Sequence, residues 1–181
     1  MIYDEMFGYS AALEDLYEEA SCNPQPVHGF KDLSNIEEWN EEYNCDDFEV
    51  LPCQTDSLVD YSAVILRSYD DTTINSGITQ SIRLSVPGAY IFSADIHIPG
   101  KGIDSGVHSV TPGIYLRICA EGAVLAESNF FKQAELDTCV YLRFAVDKDC
   151  VVHAEIRVNG RGSAIVDNAQ MLYVQGIAFP D

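Results

Sequence analysis

From residue 61 onward, apolar and polar side chains alternate with a period of two, the mark of strands that bury one face. The runs cover residues 61–68, 78–86, 89–98, 114–120, 139–146, 151–158 and 164–174, with weaker strands at 28–33 and 48–51. Pro87-Gly88 separates two of the runs, so 78–98 is predicted as a hairpin. Residues 147–149 and 159–162 are further turns, and 100–113 is a long Gly-rich loop. Many short strands with turns at this spacing predict an all-β fold, an antiparallel jelly-roll β-sandwich.

The first twenty residues follow another period. Ile2, Met6, Tyr9, Leu13 and Leu16 are spaced 4, 3, 4 and 3, a heptad-like seam on a short N-terminal α-helix. A helix of this length is marginal alone and needs a partner surface. That surface is either an edge of its own domain or another chain, and in the second case the seam is an oligomerisation or anchoring element. Asn23-Pro24-Gln25-Pro26 ends the helix. The expected organisation is a helical segment over 1–22, a linker over 23–26 and a sandwich over 27–181.

Alternation also sorts side chains onto faces. Tyr90, Phe92, Ala94, Ile96, Leu116, Ile118, Val140, Leu142, Phe144, Val152, Ala154 and Ile156 are assigned inward. Asp95, His97, Tyr115, Arg117, Tyr141, Arg143, His153, Glu155 and Arg157 are assigned outward. Sugar sites use such a surface, with aromatic faces for ring C–H groups and planar arginine forks for hydroxyls or uronate carboxylates. The competing expectation is cross-strand pairing of the arginines with Asp95 and Glu155 on a solvated sheet. Trp39, in an acidic stretch, is either an exposed stacking residue or a plug at the sandwich end.

Charge narrows the partners. The chain carries 29 acids against 10 lysines and arginines, and residues 1–60 hold 16 of those acids with Lys31 as their one base. This repels phosphate backbones, so no nucleic-acid partner is expected. No run approaches the roughly 18 apolar residues of a membrane span, and no membrane insertion is expected. The start, with Met1, Asp4 and Glu5, lacks the basic-then-apolar pattern of a signal peptide. The six cysteines form no CxxC pair and are expected as free thiols, with Cys45 and Cys53 placed to pair if oxidised. Gly-x-Ser-x-Gly, HExxH and phosphate-loop motifs are absent, and a non-enzyme is expected.

Residues 27–175 resemble the jelly-roll carbohydrate-binding modules, galactose-binding-like sandwiches appended to glycoside hydrolases. The likeness rests on the strand with Gln80, the Pro87-Gly88-x-Tyr90 turn and the Ser93-Ala94 strand. It continues through YLRFAVDKDCVVHAEIRVNGRGSAIVDNAQMLY, which contains Ala164-Ile165-Val166-Asp167-Asn168. The resemblance implies a sandwich, a glycan ligand and a structural calcium, with Asp167 matching the family's calcium-side acid. Asp32, Asp46, Asp47 and Glu49 are nearby candidate ligands. Two positions depart from the pattern: Lys31 follows Gly29-Phe30 where the family has Phe-Glu, and Tyr141 stands where it often has Trp. The expected function is a virion-associated structural or accessory protein, displaying this jelly roll for host attachment. It would reside in the virion, or in the cytoplasm until assembly. Its partners would be other virion proteins, further copies of itself or a cell-surface glycan. The alternative is a glycan-binding module of a bacterial carbohydrate-active protein.

Overall fold

In the computed structural model, residues 24–42, 48–52, 63–69, 75–98, 113–131 and 136–175 are described. The expected N-terminal helix and its seam, Ile2 to Leu16, lie outside them. Among the described residues, eleven strands form in chain order: β1 (Gln25–Pro26), β2 (Asn40–Glu42), β3 (Phe48–Pro52), β4 (Val64–Ser68), β5 (Ser76–Leu84), β6 (Gly88–Ile98), β7 (Gly113–Ala120), β8 (Ala123–Glu127), β9 (Leu136–Val146), β10 (Cys150–Asn159) and β11 (Gly162–Gln175). They build two antiparallel sheets. The first has the order β3-β4-β11-β6-β9, with β1 also on β11; the second has the order β2-β5-β10-β7-β8. The predicted jelly-roll sandwich is the observed fold.

The inward assignments follow the pleat. Phe92, Ala94, Leu116, Ile118, Val152, Ala154 and Ile156 are fully buried between the sheets. The strand expected at 28–33 is instead a turn followed by a 3-10 segment, Leu33–Glu38, capped by Asp32. Gln80 fastens this segment to the second sheet. Its buried amide accepts from the Lys31 backbone N–H (2.8 Å) and donates to the Lys31 carbonyl (3.0 Å). The arrangement reproduces a ladder step with a side chain and leaves no buried amide group unpaired. Trp39 is a plug: it is buried, its indole N–H reaches the Lys31 carbonyl, and its ring meets Phe30 edge-on.

The expected hairpin over 78–98 is corrected. β5 pairs with β2 and β10 in the second sheet, whereas β6 pairs with β9 and β11 in the first. The connection is therefore an arch that carries the chain across the core. An arch and a hairpin share the same period-two pattern, because both present one apolar face. The Tyr90 hydroxyl donates to the Val86 carbonyl and closes the arch. The turns at 147–149 and 160–161 are arches as well, since β9, β10 and β11 alternate between sheets. β8 was not anticipated. Its side chains are exposed or half-buried, so it lacks the alternation signal; Glu121-Gly122, both at positive φ, join it to β7 in a tight turn.

Candidate functional site

The nine outward candidates do not form one site. Asp95, His97, Tyr141 and Arg143 stand on β6 and β9 of the first sheet, while Tyr115, Arg117, His153, Glu155 and Arg157 stand on β7 and β10 of the second. The two groups point to opposite sides of the sandwich. Their expected solvent exposure also needs correction: Tyr115, Glu155 and Arg157 are buried although they face away from the core.

The second-sheet group is a connected polar floor. Across one rung lie Thr79, Glu155 and Arg117; across the next, Gly77, Arg157 and Tyr115. Arg117 Nε and Arg157 Nε both donate to Glu155 Oε2, at 2.6 and 2.9 Å. Arg157 also donates to the Asn75 carbonyl (3.0 Å), and the Tyr115 hydroxyl donates to Asn75 Oδ1 (2.8 Å). Asn75 holds a positive φ and its N–H is received by Asn159 Oδ1, which fixes the end of β5 against β10. Gly77 is needed here because a Cβ would lie 2.0 Å from the Ile156 carbonyl oxygen.

Burial pushes the Glu155 carboxyl up, but hydrogen bonds from Arg157 and Arg117 outweigh it and hold the group below the usual carboxylate range. Arg117, held at Nε, has no hydrogen-bond partner for its terminal amino groups among the described residues. Thr79, on the far side of Glu155 in the same rung, is 4 % exposed, and its hydroxyl has no partner. His153, one rung further, is exposed and shares a hydrogen bond with Ser81 (2.9 Å). Cys119 lies opposite His153, and burial, reinforced by Glu155, pushes its thiol up. That keeps the proton on sulfur, the wrong state for a nucleophile.

On the first sheet, Tyr141 is exposed and Arg143 stacks over its ring at 5.3 Å. Asp32, Leu33, Asp95, Asp167 and Asn168 line a pocket of about 330 Å³. A bulge between Asp167 and Gln170 makes it, with Asn168 at positive φ donating to Asp95 (3.2 Å) and accepting from Gln170 (2.7 Å). Asp32 and Asp167, the expected calcium ligands, thus meet at one pocket. Asp32 Oδ1 is already occupied by the Ser34 and Asn35 donors, which lower its pKa. Among the described residues, no three His, Cys, Asp or Glu side chains are grouped to hold a metal ion.

Solved structures of other proteins share this architecture. One contains the N-terminal family 22 carbohydrate-binding and catalytic modules of Clostridium thermocellum endo-1,4-beta-D-xylanase 10B with xylohexaose. Its TM-score is 0.54 at 11 % identity, over 87 % of this chain and 29 % of that one. The C-terminal family 22 module of the same xylanase matches at a TM-score of 0.53 and 9 % identity, over 83 % and 96 % of the two chains. An apo cyclase from Fischerella sp. matches at 0.57 and 10 %, over 86 % and 98 %. The fold is that of the carbohydrate-binding jelly rolls. Identities this low establish the architecture, which the cyclase also uses for a different task. No protein-family model and no curated protein matches the sequence. Among the described residues, no helix is long and apolar enough to cross a membrane.

Proposed function

We propose that this chain is a non-catalytic glycan-binding module that takes an acidic oligosaccharide on the outer face of its second sheet. One observation carries the reading: Arg117 is oriented by Glu155 at Nε, and its terminal amino groups have no partner among the described residues. A fork held from behind is prepared for a planar carboxylate. His153 and Ser81 extend the polar row. The C-terminal family 22 module of the xylanase uses amino acids of a cleft in ligand binding, which supports a glycan-binding reading. Among the described residues, the carboxyls with a shifted pKa, Glu155, Asp32 and Asp149, are all shifted down, opposite to what a proton donor near neutral pH requires. Display of this face on a virion belongs to the same proposal, supported by the acidic first third and the N-terminal seam.

Calorimetry with uronate-bearing and matched neutral oligosaccharides tests the site. The uronate series is expected to bind, and Arg117→Ala to weaken it at least tenfold, the order expected for losing a charge-assisted hydrogen bond of about 1.5–3 kcal/mol. Absence of uronate binding by the wild type, or equal affinity in a folded Arg117→Ala variant, would refute the reading.

A further inference from the structure

The sandwich has sheet edges that natural proteins normally blunt, by shortness, proline, bulges or charge. In the second sheet, β2 is three residues long, and β8 is five residues long with a register shift against β7. In the first sheet, β3 has five residues and closes on Pro52. β9 differs from all three. It runs eleven residues, Leu136–Val146, in an unbroken register with β6, and contains no Pro, Gly or Lys. Among the described residues its only ladder partner is β6. Tyr141, on its outward face, is the most exposed large apolar side chain described, at 56 %.

The charges of β9 are self-complementary. Asp137 and Arg143 are its two charged residues, both outward, each three positions from Val140. Residues directly opposite in an antiparallel pair point to the same face, so only even shifts keep the apolar side on the core. Centring the pair on Val140 puts Asp137 opposite Arg143 of a second copy, twice, by two-fold symmetry. It also covers Tyr141 with Cys139 of that copy. On the inner face it sets Val140 against Val140 and Leu136 against Phe144. A shift of two residues either way moves Asp137 opposite Tyr141 or Ala145 and loses both ion pairs.

We propose that two copies of this chain associate through β9, antiparallel and centred on Val140, making the first sheets continuous across the dimer. This surface belongs to the first sheet and the glycan face to the second, so its test is independent of the proposed function.

The experiment is the mass in solution of the full chain at tens of micromolar, by sedimentation or light scattering, with circular dichroism as the folding control. Wild type is expected at twice the chain mass. Asp137→Arg and Arg143→Asp each set like charges opposite and are expected at the monomer mass, and the double exchange is expected to restore the dimer. A monomeric wild type, folded single reversals that remain dimeric, or a folded exchange variant that stays monomeric overturns the proposal. Tyr141→Cys provides a second measure, since it sets a thiol opposite Cys139 of the other copy. It is expected to give a reducible covalent dimer beyond the wild-type level on oxidation, and its failure to do so overturns the register.

Discussion

Glu155 shows how one residue ties the outer face together. It is buried, faces away from the core and accepts from two arginines on one oxygen. Removing its charge takes from Arg157, itself 3 % exposed, the carboxylate to which its Nε donates. Breaking a buried pair from one side costs about 3–5 kcal/mol, and Glu155→Gln is expected near the lower end because the amide still accepts a hydrogen bond. Urea denaturation at pH 7 measures it. The pH dependence has a definite sign. A carboxylate depressed in the folded state adds stability above its unfolded pKa, about 4.3, and the gain is lost as pH falls through the lower folded value. Wild type should therefore lose stability more steeply than Glu155→Gln below about pH 4. Equal slopes would show that the arginines do not hold Glu155 ionised. That Glu155 points outward was readable from the alternation of β10. Its burial was not, because alternation says which side a residue takes and nothing about what surrounds it there.

At the scale of elements, β5 and β10 approach so closely at Gly77 that no side chain fits. The obstructing atom is a backbone carbonyl oxygen, which cannot swing aside as a side chain would. Gly77→Ala is expected to destabilise by about 3 kcal/mol, the upper range for overpacking, and to loosen Asn75 and the rung of Arg157 and Tyr115. Thermal denaturation, together with loss of uronate affinity, checks both effects; a wild-type melting temperature would contradict the close approach. In the sequence, Gly77 stands just before the alternating run 78–86. Its true reason, the nearness of a strand about eighty positions away, has no local signature. The arch between β5 and β6 was misread for the same reason, since the polar connection and flanking apolar faces fit either geometry.

For the whole molecule, Leu33 and Trp39 are the earliest fully buried members of the sandwich core among the described residues, with Val27 and Phe30 packed against it. On the expected division at residues 23–26, deleting residues 1–22 leaves the melting temperature of the sandwich unchanged and the β9 dimer intact. If the N-terminal seam anchors the module, the same deletion abolishes attachment to its particle. Sedimentation and particle co-purification of the truncated chain report the two outcomes separately. A truncated chain that no longer folds would place the segment within the domain.

The period-two pattern by itself determined that the protein is a sandwich and which side chains enter its core, because burial of one strand face is a local, sequence-encoded property. Net charge by itself made phosphate-bearing partners unfavourable. Tertiary structure alone decided which sheet each strand joins, and through that choice it divided one outward set between two opposite faces. It also brought Asp32 to Asp167 and Arg117 to Glu155, and among the described residues it left β9 as a long edge. Strand neighbours are selected by packing between distant segments, and no periodicity along the chain records that selection.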